Sequence, residues 1–141
     1  MTRDDRIAVV QRYFDAVNRG DLDAAIALLS PDFVQHTAGL PPGPQVARWT
    51  LQMFRGGFPD LALDVEWTLA DADRVVARVR ATGTHRGVFL GHEATGKTFT
   101  STGLDVLRVT DSGLIAERWT EFDTFGMLQQ LGLAPVPGRK S

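Results

Sequence analysis

Near the N-terminus, apolar positions recur at spacings of three and four. Ile7, Val10, Phe14 and Val17 draw one stripe along a segment from about Thr2 to Arg19, which predicts an amphipathic helix. Gly20 suits the left-handed position after that helix, and Asp21 is a good N-cap for a second helix through Leu29. Ser30-Pro31-Asp32 stops it, and Phe33-Val34-Gln35-His36 reads as a short extended piece. Three prolines and two glycines between Gly39 and Pro44 require a loop. A third helix, from Gln45 to Arg55, places Val46, Trp49, Met53 and Phe54 on one side.

After Phe58-Pro59-Asp60 the period falls to two. Leu61, Leu63, Val65, Trp67 and Leu69 alternate with Asp64, Glu66 and Thr68, the pattern of a half-buried strand. Ala70 to Asp73 makes a turn. A second strand from Arg74 to about Arg86 carries Val75, Ala77, Val79, Ala81, Gly83 and His85 on one face. Gly87 to Gly96 is rich in turn residues. Two further strands follow, Lys97–Thr110 and Leu114–Phe122, joined by the tight turn Asp111-Ser112-Gly113. Phe125 to Leu131 forms a closing helical turn before a tail rich in proline and glycine. Helices first and long strands afterwards predict an α+β domain. Three N-terminal helices on a curved, mostly antiparallel sheet make a cone around a pocket.

Composition narrows the chemistry more than the fold. The chain has 141 residues, 43 % of them hydrophobic and 23 % charged, which suits one soluble domain over 1–141. It has no cysteine, so thiol catalysis, zinc-thiolate centres, iron–sulfur clusters and disulfides are excluded. A net charge of −2 supplies no field for nucleic acid. The longest apolar run, Ala24 to Leu29, is far short of a membrane span, and the charged N-terminus does not resemble a signal peptide. The expectation is a cytoplasmic protein with no nucleic-acid or membrane partner.

Four features carry chemistry. Gly91 to Thr98 matches the phosphate-loop pattern G-x-x-x-x-G-K-[ST], but the β-favouring Phe99-Thr100-Ser101-Thr102 follows where that motif needs a helix. It reads as a hairpin loop. His85 lies on an inward strand face, as a core histidine or as a pocket histidine given room by Gly83. Glu117, Trp119, Glu121 and Asp123 share one parity of the last strand. Three carboxylates cannot be buried there unpartnered, so either this face meets a polar pocket or a β-bulge switches the parity. Asp123 is then a pocket carboxylate or the cap of the closing helix. Asp105 stands mid-strand, where aspartate is disfavoured. It either pairs with Arg108, Arg118 or a hydroxyl, or is a neutral acid that donates a hydrogen bond. The three histidines lack metal-ligand spacing, so neither a metal nor a cofactor is expected.

Ala8-Val9-Val10-Gln11-Arg12-Tyr13-Phe14 with Gly20-Asp21-Leu22-Asp23 resembles the opening of the nuclear-transport-factor-2-like superfamily, ketosteroid isomerases included. Phe58-Pro59-Asp60-Leu61, Gly83-Thr84-His85-Arg86-Gly87, Ala94-Thr95-Gly96-Lys97 and Glu117-x-Trp119-x-x-x-Asp123 resemble its SnoaL-like polyketide-cyclase branch. The resemblance covers about residues 5 to 132 and implies the cone-shaped fold. It places Tyr13 and Asp105 on the isomerase oxyanion-hole positions, His36 where the isomerase has its base, and Asp123 on the cyclase acid/base. Gly103 replaces the arginine of the related epoxide hydrolases, which disfavours that chemistry.

The resemblance therefore implies a cofactor-free cyclase or isomerase acting on a small hydrophobic, polyketide-like molecule. Asp123 is the expected base, its pKa raised by an apolar pocket. Tyr13 and Asp105 are expected to stabilise an enolate, with His85 and His36 relaying protons. Trp49, Met53, Phe99 and Trp119 are expected to line the pocket, and a homodimer is expected. Two alternatives stay open: a binding or assembly module without turnover, and a hydrolase of an ester or epoxide.

Overall fold

Thr2 and Asp5 exchange hydrogen bonds between side chain and backbone amide at 3.0 and 2.9 Å, a capping box that starts α1 (Arg3–Asn18). In the computed structural model, which describes residues 1–138, Asp21 caps α2 (Leu22–Ala27) through the amide of Ala24. The second helix is shorter than the apolar pattern predicts. Leu29 already belongs to β1 (Leu29–Gln35), because it pairs with Ile115 on the neighbouring strand. Pro31 is tolerated there since β1 is an edge strand whose register shifts between Leu29 and Val34. Pro44 opens α3 (Pro44–Gly57), where its missing amide costs nothing.

The remaining elements are β2 (Ala62–Asp71), β3 (Arg74–Thr84), β4 (Thr98–Val109), β5 (Ile115–Phe122) and α4 (Thr124–Gln130). They build the expected α+β arrangement, a five-stranded open sheet in the order β1-β5-β4-β3-β2. β1 runs parallel to β5, and every other pair is antiparallel. No helix among the described residues is long and apolar enough to cross a membrane. The last three residues of the tail lie outside the described residues.

Two β-bulges decide which side chains face inward. In β2 the register shifts between Val65 and Trp67, so Trp67 and Leu69 turn outward while Thr68 and Ala70 take the inner face. The uninterrupted alternation expected for this strand therefore breaks at Glu66. In β5 Val109 pairs with Ile115 but Arg108 pairs with Glu117, leaving Ala116 as the extra residue. Both Ile115 and Ala116 are buried, and beyond them Arg118, Thr120 and Phe122 face in. This resolves the parity of the last strand: Glu117, Trp119 and Glu121 lie on the outer face.

α1 covers the inner face of the sheet through Val9, Val10, Tyr13, Phe14 and Val17, all buried with Val75, Ala77, Leu107 and Ile115. Asn18 ties its end to β2 by accepting from the amide of Leu63 at 2.7 Å and donating to that residue's carbonyl at 2.9 Å. A second apolar cluster joins Phe58, Phe89, Phe99, Met127 and Leu131. Phe89 reaches it because the β3–β4 loop docks on the end of α3, with the amides of Arg86 and Gly87 both donating to the Gly57 carbonyl.

Gly87 sits so close to α3 that a Cβ there would lie 2.0 Å from the Gly56 carbonyl oxygen. Gly87→Ala is therefore expected to displace the loop and to lower stability in urea by roughly 1–3 kcal/mol. Unchanged stability would show that the loop is not held there.

Candidate active site

Between α3, the loop after β1, α4 and the inner face of β3–β5 lies an open cavity of about 320 Å³. Its wall is mostly apolar: Met53, Phe54, Leu63, Val79, Phe99 and Phe122 contribute. Trp49 stands at the mouth, 59 % exposed. This gives a water-poor surface suited to an apolar molecule.

One charged pair interrupts it. Asp105 and Arg118 are diagonal neighbours across β4 and β5, since Asp105 pairs with Thr120 and Leu107 with Arg118. Arg118 donates from Nε to Oδ1 at 3.2 Å and from Nη2 to Oδ2 at 3.0 Å. The side chains of Arg118 and Asp105 are only 14 % and 6 % exposed, so the pair is a buried, bidentate one. Burial works against the charge on Arg118, but the attraction of Asp105 and the nearby phenol outweighs it and holds the guanidinium pKa above its ordinary value.

Tyr13 reaches the same place from α1. Its hydroxyl is buried and makes no hydrogen bond of good geometry among the described residues, although Arg118 is close enough to act on its charge. Burial raises the Tyr13 pKa, Arg118 opposes that shift and Asp105 reinforces it. The phenol is thus kept protonated. Gln35 completes the polar row: it sits directly beside Arg118 in the β1–β5 register, buried and on the cavity wall.

Of the residues expected at the site, Tyr13, Asp105, Trp49, Met53 and Phe99 line the cavity. The other four stand elsewhere. Trp119 is on the outer sheet face, stacked on the His36 ring at 4.6 Å and lying under the guanidinium of Arg74 at 5.1 Å. His36 is outside for the same reason of alternation. The strand turns Gln35 inward and His36 outward, where its Nε2 meets Glu117 at 3.4 Å. His85 is fully buried against Phe58, and its Nδ1 accepts from the Thr95 amide at 3.3 Å, so it fastens the β3–β4 loop.

Asp123 is exposed and caps α4, with Oδ1 accepting from the Gly126 amide at 2.9 Å. The apolar enclosure expected around it is not there, because β5 beyond the bulge turns this parity outward. Its Oδ2 accepts no hydrogen bond among the described residues, while its neighbours Phe122 and Thr124 both line the cavity. Asp105 accepts two hydrogen bonds from Arg118, so the pairing alternative expected for it is the one the structure shows. The segment resembling a phosphate loop ends in β4 and opens no helix.

Sequence reasoning passed over Gln35 and left Arg118 only as one of three partners for Asp105. Alternation from the buried Phe33 marks Gln35 as inward. Arg118 has no such signal, because the bulge at Ala116 reverses its face.

The sequence profile of the SnoaL-like polyketide cyclases matches residues 7–131. Among solved structures, the chain is similar to AclR, a proposed hydroxylase from Streptomyces galilaeus, at 30 % identity and a TM-score of 0.86 over 95 % of this chain and 100 % of that one. It is also similar to IdmH, a proposed polyketide cyclase from Streptomyces antibioticus, at 34 % identity and a TM-score of 0.78 over 90 % and 98 % of the two chains. TsrD from Streptomyces laurentii aligns at 26 % identity with a TM-score of 0.86 over 94 % and 98 %. No curated protein sequence matches the chain.

Tyr13 is the only tyrosine, so the phenolate absorbance of the folded protein reports on it alone. It is expected to ionise above the ordinary value of 10.0. Because the folded pKa is the raised one, stability contributed by the neutral phenol is present below pH ~10 and is lost as pH rises toward the folded value. A midpoint at or below the ordinary value would refute the burial of this hydroxyl beside Asp105.

Proposed function

Since the chain belongs to the SnoaL-like polyketide cyclase family, we propose that its cavity closes a ring in a small, apolar, polyketide-like substrate by an intramolecular aldol reaction. The observation that carries this reading is the buried ion pair Asp105–Arg118 on a mostly apolar wall. A substrate carbonyl oxygen rests on the Arg118 guanidinium, where negative charge developing on that oxygen is stabilised in a water-poor site. Asp105 does not touch the reacting atoms in this scheme. It positions Arg118 by engaging two of its donors. Tyr13 backs the pair with a phenol that stays protonated.

In this scheme the Asp123 carboxylate, exposed and next in sequence to the cavity-lining Phe122 and Thr124, takes the proton next to the carbonyl. The enolate carbon then attacks a second carbonyl of the same molecule, forming the carbon–carbon bond. The resulting alkoxide takes up the proton that Asp123 holds, which gives a β-hydroxy ketone and restores the carboxylate. The step is redox-neutral and needs only proton transfers. A second reading makes Asp105 the base, favoured by its being the only carboxylate on the cavity wall among the described residues. A module that binds its ligand without turnover is the third outcome.

Asparagine caps a helix as well as aspartate does, so Asp123→Asn keeps α4 intact while removing the base. With a synthetic aryl polyketone as substrate, this variant is expected to lose about 10²–10⁴-fold in kcat. A full rate in Asp123→Asn with a comparable loss in Asp105→Asn would transfer the role to Asp105. Binding of the polyketone without turnover by the wild-type protein would favour the binding module.

The same reading includes a homodimer formed through the outer sheet face. Leu69, Val76, Val106 and Trp119 form one cross-strand row there, and Trp67 and Leu69 are 45 % and 64 % exposed. Leu69→Arg is expected to convert a dimer to a monomer in sedimentation. A wild-type monomer at micromolar concentration would contradict this part of the proposal.

A further inference from the structure

The mechanism above gives no role to one buried amide of the cavity wall. Gln35 is 6 % exposed, yet among the described residues its Oε1 has no hydrogen-bond partner. Its Nε2 donates to the Thr37 hydroxyl at 3.4 Å, which engages the donor end of the amide and leaves the acceptor end free. A buried acceptor without a donor costs about 1–3 kcal/mol, and Gln35 is one of the residues lining the cavity, so a donor that reaches this amide from a ligand would relieve that cost.

Its position says where that donor lies. Gln35 on β1 and Arg118 on β5 are direct register partners with both side chains on the cavity wall. Arg118 offers only donors, and the Gln35 Oε1 only accepts. The two strands lie about 4.8 Å apart at the backbone, so a donor and an acceptor are presented side by side. A single carbonyl satisfies Arg118 and leaves Gln35 unpaired. A carboxylate satisfies Arg118 and repels the amide oxygen. A carbonyl with a hydroxyl on the β-carbon satisfies both.

We propose that Gln35 is a specificity-determining residue that, together with Arg118, selects a β-hydroxy ketone: the carbonyl oxygen accepts from Arg118 and the hydroxyl donates to the Gln35 Oε1. This rests on the cyclase reading and deepens it, since a β-hydroxy ketone is what an aldol closure forms. Gln35 then recognises the hydroxyl once the alkoxide has been protonated, and the unsubstituted ketone or the O-alkylated product binds less well. Discrimination against an analogue lacking the hydroxyl arises because the buried acceptor is left unpaired.

The test is equilibrium binding of three probes, 3-hydroxyindan-1-one, its O-methyl ether and indan-1-one, to the full chain by calorimetry or ligand-observed NMR. The wild-type protein is expected to bind the hydroxy ketone roughly five- to tenfold more tightly than the other two. Gln35→Met, close in volume and without an acceptor, is expected to bind all three alike, at the wild-type affinity for indan-1-one. A purely packing role for Gln35 predicts instead an equal loss for every probe. Equal binding of the three probes to the wild-type protein, or discrimination that survives in Gln35→Met, overturns the inference while leaving the cyclase reading in place. If Arg118→Met binds indan-1-one as well as the wild type does, the failure lies with the cyclase reading, because the carbonyl then does not rest on Arg118.

Discussion

Placing a guanidinium and a carboxylate inside an apolar wall is the constraint on which the site depends. Neither Asp105 nor Arg118 is tolerable there alone, because an unpaired buried charge costs several kcal/mol. Together, in a bidentate arrangement with side chains 6 % and 14 % exposed, they form a fixed polar spot in a cavity whose wall is mostly aliphatic and aromatic. Everything polar nearby is arranged about that spot: the Tyr13 phenol behind it, Gln35 beside it in register, Thr120 on the next inward position of β5. The pair supplies direction to a surface whose other contacts are non-directional.

The pair exists because of a one-residue irregularity. Without the extra residue at Ala116, strict alternation from the buried Ile115 would send Glu117, Trp119 and Glu121 inward and Arg118 out. The bulge keeps Ile115 in the core, returns three acidic or amphipathic side chains to the outer face and delivers Arg118 to Asp105. The bulge at Glu66 acts similarly on β2, moving Trp67 and Leu69 out of the core and onto the outer face. Two local register shifts thus divide the sheet into a face that lines the cavity and an outer face that carries the exposed Trp67 and Leu69.

Most of the fold was legible because its signals are periodic. The stripe Ile7–Val17 produced α1, the alternation in β3 held from Val75 to Ala81, and the turn at Asp111–Gly113 was marked by its residues. The site was legible only in part. Tyr13 and Asp105 come from uninterrupted elements, and both reach the cavity. Trp119 and Asp123 follow a bulge, and a bulge leaves no periodic trace, so their faces were open until the pairing was known. His36 misled by a single position, because strand alternation gives the cavity to Gln35. His85 is buried as its strand face predicts, but its Nδ1 is engaged with the loop through Thr95 and the residue does not line the cavity. Resemblance locates a motif along the chain; which way its side chains point is settled by register.

A double-mutant cycle on Asp105 and Arg118 tests the central claim most directly. Asp105→Leu and Arg118→Leu each leave one buried charge unpaired, and each is expected to cost about 3–5 kcal/mol of unfolding free energy in urea. The double variant removes both charges, so it is expected to be far more stable than the sum of the two losses implies, close to the better single variant or above it. Strictly additive losses would mean that the two side chains do not form the buried pair, and the account of the cavity built on it would fall.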